Sequence, residues 1–175
     1  MVTIVPVTTR AQLRRFVDYP NELYKDVPQF VPATYDDDLS DWDRRKNPAF
    51  DYCDARCWLA ERDGETVGRI GAIHSRKAND KWGTNRLRFT QVDFIDDPEV
   101  SAALFAAVED WARELGCTAV HGPLGFTDMD REGMLVKVTF FLPSICGFFT
   151  LFVPNIGVEI TFFLPNVRGV WGCEF

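Results

Sequence analysis

The sequence predicts an α/β (α+β) domain in which a mixed, mostly antiparallel sheet is flanked by helices. Three observations carry this prediction. Strand-like and helical patterns alternate along residues 3–136; the dipeptide Asp63-Gly64 joins two strand-like runs as a hairpin; and apolar residues recur at helical spacing after Asp97-Pro98. A composition of 46% apolar and 14% aromatic residues over 175 positions is enough to bury the core that such a fold needs.

In chain order, TIVPV at residues 3–7 predicts a short first strand. Thr9 and Gln12 form a capping box, opening a helix with Leu13, Phe16 and Val17 on one face. Pro20 is expected to end or offset that helix. Residues 19–48 contain four prolines and the run Asp36-Asp37-Asp38, which predicts short helical pieces and ordered loops, with Arg44-Arg45-Lys46 as a solvated surface. Residues 57–60 and 67–75 flank the Asp63-Gly64 turn as strands. A loop then leads to a third extended run, Leu87–Ile95, so three neighbouring antiparallel strands are implied. Asp97 caps a helix whose first residue is Pro98, and Val100, Leu104, Val108, Trp111 and Leu115 share one of its faces. Burying such side chains stabilises by about 1.5–3 kcal/mol each before entropy is counted. Gly116 stops the helix, and Thr118–Val120 starts a further strand.

Charge and cysteine usage narrow the function classes. With 26 acidic and 19 basic residues the net charge is −7, which disfavours nucleic acid, because a phosphate backbone needs clustered cations to displace its counterions. A basic partner or a neutral small molecule fits better. The start MVTIVPVTTR lacks the pattern of a secretory signal, so the expected location is cytoplasmic. Five cysteines at irregular spacing do not make a disulfide framework. Cys53 and Cys57 share their spacing with Cys117 and His121, but four residues of extended chain separate the latter pair by about 13 Å, too far for one zinc ion. Buried thiols are expected and no metal site.

Four segments carry a family resemblance: KNPAF at 46–50, WLAERDGETVGRIGAI at 58–73, VDFIDDPEVSAALFAAVEDWA at 92–112 and HGPLGFTDMDREGML at 121–135. Together with the element order, they resemble the GNAT N-acetyltransferase superfamily, in particular a bacterial group that includes relatives of bacterial ceramide synthases. The resemblance covers residues 3–136 and implies the amino-terminal part of a longer acyltransferase, hence a domain incomplete at its C-terminal end and missing a C-terminal remainder. It further implies acyl-CoA as a co-substrate rather than a tightly bound cofactor, and a small-molecule or lipid amine as acceptor. In the superfamily an amine attacks an acyl thioester, and a base or ordered water removes its proton. The pantetheine arm would run along the backbone of Val92, Phe94 and Ile95. The diphosphate would lie on the next turn, at a helix N-terminus.

That turn departs from the family pattern. Ile95-Asp96-Asp97-Pro98-Glu99-Val100 has no glycine, lacks one N–H at Pro98 and presents three carboxylates that repel a phosphate. An activity lost through this turn would leave a binding or scaffolding domain, and the chain as it stands is expected to turn over little.

Among reactive side chains, Asp93 within the central strand and His121 after the fifth are the candidate catalytic residues, with His74 a further histidine near the cleft; each has a structural alternative. Asp128 and Asp130, with Glu132 nearby, could receive a cationic amine or simply form a turn. Arg76, Lys77, Lys81, Arg86 and Arg88, with Trp82 as interfacial anchor, could touch coenzyme phosphates or make a weak membrane-surface contact, or form a solvated loop.

Composition changes sharply after Val136. Residues 137–175 hold eight of the fifteen phenylalanines and, as charged residues, only Lys137, Glu159, Arg168 and Glu174. Residues 138–170 form three eleven-residue units, VTFFLPSICGF, FTLFVPNIGVE and ITFFLPNVRGV, each a strand-prone run followed by a proline turn. The expected boundary is therefore a domain at 1–136 and an apolar tail at 137–175 that is foreign to the family, produced by a frameshift, an assembly junction or repetitive DNA. A small sheet is conceivable there, with a tendency to aggregate.

Overall fold

The computed structural model describes residues 1–28, 30–32, 35–127, 129–130, 147–153 and 158–164, with backbone alone for 35–37 and the last two stretches. Five strands, β1 (Thr3–Pro6), β2 (Cys53–Arg62), β3 (Glu65–Ser75), β4 (Arg86–Phe94) and β5 (Ala119–His121), form one sheet in that order. The first four are antiparallel neighbours, and β5 runs parallel to β4. Asp63 and Gly64 take positive φ angles of 53° and 86°, as a two-residue hairpin turn requires.

Helix α4 (Pro98–Glu114) covers one face of the sheet. Asp97 caps it by accepting the Glu99 N–H at 2.8 Å, and Val100, Leu104, Val108 and Trp111 are buried against Ile70, Leu87, Phe89 and Val120. Gly68 in β3 permits this close docking, since a Cβ there would stand 2.9 Å from the Leu104 side chain. The opposite face is covered by α1 (Arg10–Leu23), α2 (Tyr35–Asp41) and a 3-10 turn at Pro48–Asp51, which bury Phe16, Val17, Trp42, Leu59, Ile73 and Phe126. Trp42 anchors this side, edge-on to Phe16 and to Phe126 at 5.5 Å each and so close to Gly71 that a Cβ there would stand 2.8 Å from its ring.

Two local expectations need correction. Pro20 does not end α1, which continues to Leu23. Proline has no N–H to offer the Phe16 carbonyl four residues earlier, and Arg69 from β3 takes that place, its Nη1 donating to Phe16 O at 2.7 Å. Residues 76–82, expected as loop, form helix α3 (Arg76–Trp82). Ser75 caps it at Ala78 N–H, and Gly83 closes it in the left-handed region with φ of 60°. None of its residues is buried, so it lacks the apolar stripe by which a helix is recognised.

In the tail, β6 (Gly147–Val153) and β7 (Val158–Leu164) pair antiparallel as a separate two-stranded sheet. The strands straddle the joints of the eleven-residue units and stop one residue before Pro154 and Pro165. Most of the first unit, residues 138–146, lies outside the described residues. Among the described residues no helix is long and apolar enough to cross a membrane.

Candidate functional site

The parallel β4–β5 pairing ends at Arg88↔His121. Beyond it β4 carries a bulge, because Gly71 pairs with Thr90 and Arg69 with Asp93, leaving one extra residue on β4. Gln91 is in the left-handed region with φ of 45°, and Trp42 Nε1 donates to its Oε1 at 3.1 Å. The bulge thus begins just past the point where pairing with β5 stops. Against this stretch lies a cavity of about 720 Å³, lined by Thr90, Gln91, Val92 and Asp93 from β4, by Phe126, Met129 and Asp130 after β5, and by Val17, Pro20, Asp38, Asp41 and Trp42. Among the described residues, its ionisable side chains are Asp38, Asp41, Asp93 and Asp130 against one cation, Arg69. Such a cavity has the size of a small-ligand site and the charge to attract an amine.

Asp93, the sequence candidate for catalysis, sits in this wall inside a buried polar network. Arg69 Nε donates to its Oδ2 at 2.8 Å, with the two side chains only 8% and 14% exposed. Tyr24 Oη donates to Oδ1 at 3.0 Å. Burial first, then the Asp93 charge, pushes the Tyr24 hydroxyl well above its ordinary pKa, so it remains a donor. Tyr19 is pushed up to about 12, by burial first and then by the same carboxylate, and its hydroxyl has no partner among the described residues. Both Asp93 oxygens therefore accept a hydrogen bond, and the carboxylate is fixed in place by Arg69 and Tyr24.

His121 lies elsewhere. It does not line this cavity, and burial first, then Arg88 and Arg86, lowers its pKa to about 4, which keeps the ring neutral at physiological pH. Its Nδ1 is buried with no partner among the described residues. The structure thus does not bring His121 and Asp93 into one constellation. His74 is committed to Asn85 and Asn79 at 3.1 Å each. Asp130 lines the cavity rim but also accepts from the Thr127 N–H and hydroxyl at 3.1 and 3.0 Å, which is the turn role. Asp128 and Glu132 lie outside the described residues. Val92 lines the cavity through β4 while its side chain packs under α4; Phe94 and Ile95 pack against that same core. Arg69, Tyr24, Gln91 and Trp42 were not singled out from the sequence. Arg69 left a signal, a lone charge inside the apolar run GRIGAI, of the kind that buries only with a partner.

The turn after β4 does not fit a diphosphate. The Asp97 N–H donates to Ile95 O at 2.7 Å, Pro98 has none, and Glu99, Val100 and Ser101 all donate to Asp97, at 2.8, 3.1 and 3.2 Å. Arg62 Nη2 bridges the carboxylates of Asp97 and Glu99 at 2.8 Å each, holding the Asp97 carboxyl below its usual range. The amides that a helix N-terminus would lend an anion are already used within the turn.

No family model matches the chain. Over 128 residues it is 33% identical to the protein YghO of Escherichia coli K12, a match that takes in 71% of this chain and 32% of that protein. Over 136 residues it is 32% identical to the bacterial ceramide synthase of Caulobacter vibrioides, with 77% and 35% covered. The chain thus spans about a third of the length of the curated relatives it matches. Among solved structures it is similar to a tandem GNAT protein from the clavulanic acid biosynthesis pathway, with a TM-score of 0.51 and 17% identity over 67% of this chain and 35% of that one. A ribosomal-protein-alanine N-acetyltransferase from Brucella melitensis biovar Abortus matches with a TM-score of 0.45 and 17% identity, covering 69% and 78%. The chain has a GNAT fold and is related in sequence to a bacterial ceramide synthase.

Proposed function

We propose that residues 1–136 form an N-acyltransferase domain that joins an acyl group, delivered as a thioester such as acyl-CoA, to an amine seated in the cavity before Asp93. The observation that carries this reading is the acidic cavity built against the bulged stretch of β4, with four carboxylates to one arginine among the described residues. An ammonium is drawn in by that field and sheds one proton to solvent. The amine nitrogen then bonds to the acyl carbon while the carbon–sulfur bond breaks; the nitrogen gives up its second proton and the departing thiolate takes one up. Asp93, fixed by Arg69 and Tyr24, orients the amine. The fold and the relationship to a ceramide synthase support the reaction class, and a lipid amine is the acceptor we favour. A donor carrying a nucleotide diphosphate must rest it away from the turn after β4.

The occupied amides of that turn favour a second reading, a non-catalytic domain of the same fold that positions a partner domain. Thiol release from acetyl-CoA and a long-chain acyl-CoA, with and without a sphingoid amine, separates the two. The enzyme reading expects amine-dependent release that falls in Asp93→Asn, and a thermal shift with the donor, since ligand at a hundred times Kd adds about 2.7 kcal/mol. Neither release nor shift at millimolar donor leaves the scaffolding reading.

A further inference from the structure

A second cavity, of about 660 Å³, opens on the other side of Trp42, between the end of β1, the start of α1, β2 and the turn that follows α2. Its charge is the reverse of the first. Among the described residues, Arg10, Arg44, Arg45, Lys46 and Arg56 line it against the single carboxylate of Asp43, in a chain whose net charge is −7. Asp43 is taken by Arg45 at 3.2 Å, and Arg56 pairs with Glu114 at 2.9 Å. Arg10, Arg44 and Lys46 make no salt bridge among the described residues; Lys46 donates to Ser40 Oγ at 3.3 Å and adds to the positive charge around Asp43, and the Arg44 guanidinium lies 4.9 Å over the Phe50 ring. Below this rim the wall is apolar, made by Leu13, Leu39, Trp42 and Phe50.

We infer that this cavity binds a single-chain anionic amphiphile, its carboxylate or phosphate head held by Arg10, Arg44 and Lys46 and its hydrocarbon chain laid on Leu13, Leu39, Trp42 and Phe50. Unpaired cations on an otherwise acidic protein repel one another and gain by an anion between them. Apolar surface beneath them selects a ligand with a chain rather than a free ion. These cations repel an amine, which the carboxylates of the cavity before Asp93 attract. The inference stands apart from acyl transfer and holds whether or not the domain turns over.

Calorimetric titration of the full chain at low ionic strength tests it, with dodecanoate, dodecyl phosphate and dodecyltrimethylammonium, each below its micelle concentration. One saturable site per chain is expected for at least one of the two anions, with the preferred one assigning the head as carboxylate or phosphate, and none for the cation. The Arg44→Glu/Lys46→Glu variant, altered only at exposed positions, should bind the anion about tenfold more weakly or worse. Absence of binding by both anions, equal binding of the cation, or an unchanged affinity in the variant would each overturn the assignment.

Discussion

Replacing Arg69 by Met probes the network behind the candidate site. Arg69 is 7% exposed and makes two strong contacts, Nε to Asp93 at 2.8 Å and Nη1 to Phe16 O at 2.7 Å. Met matches its apolar stem but leaves Asp93 buried with only the Tyr24 hydroxyl, and it strands the carbonyl that Pro20 cannot serve. Breaking one side of a buried ion pair costs about 3–5 kcal/mol, and a buried carbonyl without a donor costs about 1–3 kcal/mol. The two overlap, so about 4 kcal/mol is expected, a fall in Tm of roughly 8–16 °C for a chain of this size. Urea unfolding followed by tryptophan fluorescence measures it. The Arg69→Met/Asp93→Leu double variant should be more stable than Arg69→Met alone, because removing both charges spares the desolvated carboxylate. A loss under about 1 kcal/mol in the single variant, or strict additivity in the double, would refute the reasoning.

Three further outcomes follow from the same structure. Pro20→Ala, placed in the Arg69→Met background, should recover about 1–2 kcal/mol, since the new N–H reaches the stranded Phe16 carbonyl; the same melts read this, and no recovery contradicts the account of α1. Asp97→Ala should lower the melting temperature at neutral pH. The Asp97 carboxyl is held below its usual range by Arg62 first and then by the Glu99 N–H, so its contribution is present above the unfolded carboxylate pKa and vanishes as pH falls through the folded value; the gap between wild type and variant should begin to close below about pH 4 and be gone only below the lowered folded value. His121 titrates at about 4 in the fold, against an ordinary value near 6.5. The folded state therefore resists protonation, and stability should fall as pH drops from about 6.5 to 4, less so in His121→Phe; a nuclear resonance titration that finds His121 near 6.5 would contradict its burial.

Much of the fold was legible because local chemistry and tertiary packing agree. The capping box at Thr9 and Gln12, the Asp63-Gly64 turn and the Asp97-Pro98 start each form as the residues imply. Where they fail, a distant residue overrides the local rule. Pro20 is tolerated because Arg69, on a strand far along the chain, supplies the missing hydrogen bond. The bulge at Gln91 is invisible in QVDF, since it depends on the register with β3 and on the Trp42 indole. Asp93 was legible as a residue of the central strand, but its partners Arg69 and Tyr24 come from β3 and from the end of α1, and no sequence spacing links the three. The anionic character of the turn after β4 was readable directly; the consumption of its amides by Asp97, and the clamp by Arg62 from β2, appear only once the elements are assembled.

The central claim is that this turn does not seat a nucleotide diphosphate. Amide resonances of residues 96–101, followed while coenzyme A or inorganic pyrophosphate is added to millimolar concentration, test it at the atoms concerned. The account predicts that the Asp97, Glu99, Val100 and Ser101 amides and the Arg62 guanidinium stay unperturbed even if the donor binds elsewhere. Saturable shifts confined to those amides would contradict it.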